Sequence, residues 1–489
     1  MRKIYRINSW SLIFIGLVFF CTKSNLIAQE LPPPNIILIM TDDQGWGDAG
    51  YQGHPELKTP NLDKMADNGL VFNRFYAAAP VCSPTRGSVL TGRHPYRYGI
   101  EYANSGHIKK EEILLPEVLK EQGYTTGHFG KWHLGTMDKN VVESNRGGYA
   151  RNVQHYAPPW ENGYDVCFAT ESKMPTWDPM INPDHQVNGA NKGQKPGDSF
   201  GSYYWTGPGK LATDNLDGDN SRVIMDRVIP FIKNAVGNKQ PFFSTIWFHT
   251  PHSPVVAGQK YLDRYPNVSE EEQHYYGSIT AMDEQIGRLR QALKDSGIAE
   301  NTMIWFCSDN GPAAQGGGPG WNPGARQQGI TGGFKGRKGS LFEGGVRVPG
   351  ILEWPAKIKE HRETVFPAVT SDYFPTILDV LHINSTDLLV MDGISLMPII
   401  EGNHNIQRNK PIGFQSRFEG QEWQVWNKNQ YKLVHKVNDQ EFLLFDLYND
   451  PYETTDIADK HSRIIDSMRK ELASWVEDCA ESATGADYY

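Results

Sequence analysis

Residues 79–93, APVCSPTRGSVLTGR, set a cysteine, a proline and an arginine at the head of a run that reads as a helix. Cys82 and Arg86 are one helical turn apart, so a helix starting there presents both to one pocket. A buried structural thiol needs only apolar company, whereas a cation at a helix entrance favours a reactive group. Other short runs carry comparable chemistry. TDDQGWGD offers Asp42 and Asp43, SDNG offers Asp309 and Asn310, and GKWHLG offers Lys131 and His133 two residues apart, on one side of an extended segment. HTPHSP adds His249 and His252, and GRKGSLFEGG adds Lys338. Adjacent Asp42 and Asp43 would point to opposite faces of a regular strand, so both reach one site only where the backbone turns at a strand end. Carboxylates brought together repel unless a cation neutralises them. Three carboxylates and an amide oxygen are hard ligands that suit Ca²⁺ or Mg²⁺ rather than zinc, with calcium favoured where protein oxygens complete the site. Each pair has a plainer reading, as turn caps beside Gly45 or Gly311, solvated lysines or hydrogen-bonded histidines.

The elements that must position these groups are legible in outline. NIILIM is a continuous apolar run ending abruptly in acids, as a buried parallel strand does, and PFFSTIWFHTPH and TMIWFCSDNG repeat the pattern. Between them lie helical patterns: TPNLDKMADNG, with Thr59 as N-cap, Pro60 in the first turn and Gly69 as stop; LPEVLKEQG; and EEEQHYYGSITAMDEQIGRLRQALKDSG. Alternating strand and helix predicts an α/β fold with a mostly parallel sheet, whose ligands gather at the carboxyl ends of strands. Three strand ends would then deliver Asp42 and Asp43, His249 and His252, and Asp309 and Asn310 to one edge. GVRVPGILEWP and TSDYFPTILDVLH continue this large domain. From about residue 405, shorter alternating runs (QEWQVWN, QYKLVHK, EFLLFDLYND) and the helical SRIIDSMRKELASWVED predict a small α+β appendage with an antiparallel sheet. Residues 135–220 and 311–339 resist assignment. The first carries Tyr156, Trp160, Trp177, Tyr203, Tyr204 and Trp205, which makes it either a packed insertion or a wall facing substrate.

Bulk properties narrow the class. A chain of 489 residues with 39% hydrophobic and 21% charged residues can bury a sizeable core, and 48 Gly with 31 Pro imply long loops. The first 28 residues, with Arg2, Lys3 and Arg6 before an apolar block from Leu12 to Phe20, read as a secretory signal peptide cut near Ala28. The apolar block is about half of what a membrane span needs, so we expect an exported, periplasmic or secreted protein without stable membrane insertion. A transmembrane anchor is the runner-up reading, and lipidation of Cys21 a further alternative disfavoured by bulky Phe20. The remaining Cys82, Cys167, Cys307 and Cys479 form neither a disulfide framework nor a CxxC zinc pattern. A net charge of −9 argues against nucleic acid as a partner.

CSPTRGSVLTGR resembles the sulfatase signature C-x-P-x-R with its T-G-R element, and TDDQGWGD, GKWHLG, HTPHSP, SDNG and KGSLFEGGVRVP resemble the other family blocks, in order. The resemblance covers roughly residues 34–400, and LFDLYNDPYETTDIA resembles the family's small domain; Thr85 stands where serine is also common. The resemblance implies an alkaline-phosphatase-like fold, with a catalytic domain over 29–404 and a C-terminal subdomain over 405–489. It implies a type I sulfatase in which a maturation enzyme oxidises Cys82 to formylglycine, whose hydrate is the nucleophile. It further implies one Ca²⁺ held by Asp42, Asp43, Asp309, Asn310 and the modified Cys82, with Arg86 and Lys131 steadying the diol. His133 would take its proton, and His252 and Lys338 would bind sulfate and help protonate the leaving oxygen. His249 is left between a supporting role and plain packing. The expected substrate is a sulfated carbohydrate, either a marine algal polysaccharide such as ulvan or carrageenan or a glycosaminoglycan. Phosphonate or phosphate ester hydrolysis within the same superfamily is the nearest alternative, and a carbohydrate-binding protein with a degenerate site the more distant one.

Overall fold

The strand NIILIMT splits its side chains between two cores. Ile36, Leu38 and Met40 enter one apolar cluster and Ile37 and Ile39 the other, all at most 1% exposed. Alternation of this kind is what a strand buried on both faces requires, and each such side chain contributes about 1.5–3 kcal/mol of burial free energy. The computed structural model describes residues 32–183, 195–314, 328–384, 388–403, 405–418 and 420–488. The expected signal peptide over residues 1–28, including Cys21, and the Gly-rich stretch 315–327 lie outside the described residues.

Five parallel strands form the middle of a ten-stranded sheet. In chain order they are β1 (Asn35–Thr41), β2 (Thr125–Lys131), β3 (Val166–Thr170), β4 (Phe242–Trp247) and β5 (Thr302–Ser308). In space the order is β5, β1, β4, β2, β3. Antiparallel Gly350–Glu353 pairs with β5 on one flank, and Trp205–Gly207 pairs with β3 on the other. The registers align the strand ends: Thr41 lies opposite Ser308, Met40 and Gly130 both lie opposite Trp247, and Lys131 lies opposite Thr170. Asp42 and Asp309 therefore leave the sheet at one level, beside Lys131. Gly130 permits this closeness. At φ +105° it occupies the left-handed region, and a Cβ there would lie 1.9 Å from the Trp247 carbonyl oxygen.

Helices cover both faces. Val89 and Leu90 of α1 (Cys82–Thr91) join the first core, while α2 (Asn220–Gly237) and α3 (Glu270–Asp295) pack into the second. The predicted helices are present as Pro60–Asp67, Leu115–Glu121 and α3. At Thr59 the side chain binds Asp63 Oδ1 at 3.0 Å and accepts from Gly50 N rather than capping its helix.

The small antiparallel sheet contains β6 (Ile412–Phe418), β7 (Gln421–Lys428), β8 (Tyr431–Lys436) and β9 (Glu441–Asp446) in sequential order. Val425, Val434 and Phe445 face Tyr76, Leu341 and Val346, whereas Trp426, Leu433 and Leu444 face Met468 and Leu472 of α4 (Ser462–Ala483). Period-two alternation thus lets the sheet serve the large core on one side and its own helix on the other. Residues 33–489 form one compact unit. Among the described residues no helix is long and apolar enough to cross a membrane.

The unassigned segment 135–220 holds β3 and the edge strands Trp205–Gly207 and Lys210–Leu211. Its aromatic residues mainly pack: Tyr204 and Trp205 are fully buried, and Tyr203 and Trp160 lie against the first core.

Candidate active site

All ten residues of α1 are buried although its sequence, CSPTRGSVLT, is largely polar. A buried polar helix is costly unless its groups are partnered. Thr85 Oγ1 donates to the Ala79 carbonyl at 3.1 Å and Thr91 Oγ1 to that of Gly87 at 3.0 Å. Arg86 turns inward, donating to Asp309 Oδ2 at 2.6 Å and to the Lys131 carbonyl at 3.0 Å, with Asp42 Oδ1 at 3.7 Å. Trp247 supports its guanidinium from 5.3 Å. Cys82 opens the helix, and its Sγ lies within 4.8 Å of a carboxylate oxygen from each of Asp42 and Asp309.

Around this centre the strand ends add the remaining groups. Lys131 Nζ donates to Asp42 Oδ2 at 2.7 Å, and the Asp43 backbone N–H, in a left-handed residue at φ +70°, donates to Asp309 Oδ1 at 3.1 Å. That conformation lets neighbouring Asp42 and Asp43 serve one site. Asn310 Nδ2 donates to Asp43 Oδ1 at 2.7 Å, Lys338 Nζ donates to the same oxygen at 2.5 Å, and His252 Nε2 stands 3.7 Å from Asp43 Oδ2. Asp42, Arg86, Lys131, Asp309 and Asn310 are fully buried, whereas the His252 and Lys338 side chains are 18% and 20% exposed. The open side of the cluster is therefore at His252 and Lys338.

Burial pushes Asp309 up to about 6, and Asp42 adds to the rise even though Arg86 opposes it. Burial also acts on Asp43, but Lys338 and His252 hold its carboxyl below the usual carboxylate range. The Cys82 thiol is pushed up by burial despite Lys131 and Lys338, so it remains a thiol where a helix entrance alone would favour a thiolate. His133 is held well below its ordinary value by burial and then by Lys131, and His252 is pushed down to about 3 by burial, with Asp43 opposing.

Hydrogen bonds assign the tautomers. His133 Nε2 lies 2.6 Å from Asn104 Oδ1, an acceptor, so Nε2 carries the proton and the buried, unpartnered Nδ1 keeps a lone pair. His133 is itself left-handed at φ +59°, which turns it away from the simple alternation expected after Lys131. His252 Nδ1 lies 2.8 Å from the Ser253 carbonyl, leaving Nε2 as the lone-pair atom toward Asp43. His249 is buried behind the site, 3.2 Å from Thr170 Oγ1 and edge-on to Tyr204.

The donors fit a hard divalent cation. Asp42 Oδ1 and Asn310 Oδ1 are buried without a hydrogen-bond partner, and Asp42, Asp309 and Cys82 converge, as do Asp42, Asp43 and His252. Buried oxygens in this state are costly unless something binds them. Arg86, Lys131 and Lys338 balance the three carboxylates, so a divalent ion would leave the pocket positive and receptive to an anion.

Three contributors were absent from the sequence reading. Lys173, three residues beyond β3, lies close enough for burial and then Lys131 and Lys338 to lower its affinity for a proton. Asn104 orients His133, and Ser172 Oγ stands 3.3 Å from His133 Nε2. Recognising VCFAT as a strand would have exposed Ser172 and Lys173 at its carboxyl end.

Comparisons agree with this geometry. Residues 34–383 match the family model "Sulfatase", and residues 333–478 match "N-sulphoglucosamine sulphohydrolase, C-terminal". The chain belongs to the sulfatase family and is a sulfuric ester hydrolase. It is 32% identical over 422 residues to N-acetylgalactosamine-6-sulfatase of Canis lupus familiaris, covering 83% of this chain and 73% of that protein. The solved structure of Ps i-CgsB in complex with k-i-k-neocarrahexaose is similar at TM-score 0.74 and 27% identity, covering 91% of this chain and 93% of that one. A phosphonate monoester hydrolase of Agrobacterium radiobacter shares the fold at TM-score 0.64 and 20% identity, over 91% of this chain and 96% of that one.

Proposed function

We propose that this chain removes sulfate from a sulfated carbohydrate, with residue 82 in its formylglycine form as nucleophile and Ca²⁺ as cofactor. The observation that carries the reading is the convergence of Cys82, Asp42 and Asp309 within 4.8 Å, inside a ring of Arg86, Lys131 and Lys338. A sulfate monoester gains most from positioning and charge, which such a ring supplies.

Asp42, Asp43, Asp309 and Asn310 would hold the metal, which supplies Lewis-acid polarisation of a sulfate oxygen and eases ionisation of a neighbouring hydroxyl. A hydrated aldehyde at position 82 supplies two hydroxyls, one to attack and one whose deprotonation allows release. Arg86 and Lys131 hold Asp42 and Asp309 aligned through their ion pairs. His133, neutral with Nδ1 as lone-pair atom, accepts a proton from position 82. Lys338 and His252 at the mouth bind the sulfate group. His252 is neutral in the empty pocket, and an anion beside it raises its proton affinity, making it the donor to the departing sugar oxygen.

The carbohydrate reading is supported by a relative named for a sulfated amino sugar and by a structural relative solved with an oligosaccharide. Whether the substrate is an algal polysaccharide or a glycosaminoglycan belongs to the same proposal. So do export by a leader ending near Ala28, a maturation enzyme acting on Cys82 and a subdomain boundary at residue 405. A two-zinc phosphatase reading needs a second ligand set, and among the described residues the metal-capable groups all share Asp42. Sulfate release over a panel of defined, desalted sulfated oligosaccharides tests the reading, with an aryl sulfate, an aryl phosphate and an aryl phosphonate alongside. Turnover of the phosphorus esters in preference to every sulfate ester would sink it.

A further inference from the structure

The residues at the mouth continue into a second wall. Lys338 also lines a pocket of about 320 Å³ between residues 337–341 and the small sheet, whose β7 contributes Gln421 and Trp423. Those two are spaced to share one strand face. Ser416 of β6 pairs directly with Trp423, and Ser340 and Leu341 close the opposite side. We propose that this pocket seats an uncharged sugar ring linked to the sulfated one, so that the C-terminal sheet reads the saccharide next to the reacting group. The inference rests on the sulfatase reading and extends it to the substrate's second sugar.

Three observations point to a neutral pyranose. Trp423 is anchored edge-on against Phe342 with ring centroids 5.6 Å apart, and Lys436 stands 5.6 Å over its ring, so the indole is a fixed wall. Hydroxyls and an amide surround it, matching the apolar C–H face and hydroxyl rim of a sugar. The cations around it are already engaged: Lys338 pairs with Asp43, Lys436 pairs with Glu441 Oε2 at 2.5 Å, and Arg337 donates to the carbonyls of Gly329 and Ala313. A second sulfate would find no uncommitted cation there. The volume lies at the lower end of small-ligand pockets, about 300–1,000 Å³, and suits a single ring.

The test compares wild type, Trp423→Ala and Trp423→Phe on neocarrabiose sulfate, on a disaccharide ending in N-acetylgalactosamine 6-sulfate, and on 4-nitrophenyl sulfate. Trp423→Ala should raise KM at least about tenfold on whichever disaccharide is turned over, with kcat nearly unchanged, because it removes binding common to ground and transition states. Trp423→Phe should keep KM within about threefold, and 4-nitrophenyl sulfate should stay within about twofold in both variants. Equal losses on disaccharide and aryl ester, or no loss on the disaccharide, would overturn the proposal. If Trp423→Ala does not fold, Gln421→Ala carries the same readout. If wild type hydrolyses no sulfate ester, the reaction reading falls, and calorimetric titration of the two disaccharides into wild type and Trp423→Ala still decides the pocket. Affinity lost with the indole upholds the sugar seat, and unchanged or absent binding overturns it.

Discussion

Cys82 combines a reactive position with an inert form. It begins a helix among three cations, yet burial keeps its thiol protonated, and in the proposed mechanism a formylglycine hydrate at that position puts the surrounding charge to use. Cys82→Ala should therefore abolish turnover while the melting temperature stays close to wild type, since the pocket rather than the core loses an atom. Cys82→Ser should be nearly as inactive, because one hydroxyl can attack but cannot then expel sulfate. Sustained multiple turnover by the serine variant, or an unmodified Cys82 peptide by mass spectrometry in active protein, would refute this account. His252 allows a sharper discrimination. In the proposed role its proton would matter most for a poor leaving group, so His252→Gln should cost about 10²–10⁴-fold in kcat on a sugar sulfate and clearly less on 4-nitrophenyl sulfate. Equal losses on both would remove it from the leaving-group role. The unpartnered oxygens of Asp42 and Asn310 make the metal testable without turnover. Chelation should lower the melting temperature, and returning Ca²⁺ at about 100 times Kd should restore about 2.7 kcal/mol. A melting temperature indifferent to both treatments contradicts the metal site.

The strand ends explain which parts of this site a sequence can reveal. Asp42, Asp43, Asp309 and Asn310 were legible because NIILIM and TMIWFC are unbroken apolar runs whose polar termini must emerge at one sheet edge. Lys173 and Ser172 were not, because VCFAT begins on an exposed Val166 and sits inside a long aromatic segment that hides its period. The Asn104 contact depends on a left-handed residue in a loop, and nothing in local sequence specifies which distant histidine it meets. Behind that contact lies a buried acid pair. Arg146 holds the carbonyls of Asn104 and Gly106 at 3.1 and 2.8 Å, and its own backbone N–H donates to Glu171 Oε1 at 2.9 Å. Glu171 and Glu143 converge on Gly147, where a Cβ would meet their Oε2 atoms at 2.6 and 3.1 Å. Burial first, and then Glu171, pushes Glu143 well above the ordinary carboxylate value, and burial raises Glu171 as well. A raised folded-state value means that the folded protein binds an extra proton, so stability falls as pH rises from the ordinary carboxylate range through the raised one. Each pH unit in that window costs up to about 1.4 kcal/mol. Glu143→Gln removes the second ionisable group, so its melting temperature should gain on wild type as pH is raised from 5 to 9. A constant difference across that range would show that the pair does not share a proton.

At the scale of the whole molecule, the small sheet is joined to the loop carrying Lys338 by charge as well as by apolar packing. Lys432 of β8 is fully buried, with Nζ 2.9 Å from Glu343 Oε1 and 2.8 Å from Glu453 Oε1. Glu343 also accepts from Tyr76 Oη at 2.9 Å, and its backbone N–H donates to Glu453 Oε2 at 2.6 Å. Burial disfavours the charged lysine, but the two carboxylates overcome it and raise its proton affinity. The same loop turns tightly onto itself, since a Cβ at Gly345 would lie 2.0 Å from the Ser340 carbonyl oxygen. Moving Glu343 therefore moves residues 337–341. Replacing one member of a buried ion cluster strands the others, at about 3–5 kcal/mol, whereas replacing the cluster by apolar or neutral groups of similar shape is often neutral. Lys432→Met should accordingly lower the unfolding free energy by that amount and raise KM for sulfate esters, because Lys338 loses its fixed place beside Asp43. Adding Glu453→Gln to Lys432→Met should recover part of the stability by removing a stranded charge, while Glu343 keeps Arg347 at 3.4 Å as its partner. Chemical denaturation of the single and double variants, with KM measured on 4-nitrophenyl sulfate, decides the matter. A single variant as stable as wild type would show that apolar contacts alone seat the C-terminal sheet. A double variant no better than the single would place the loss in packing rather than in uncompensated charge.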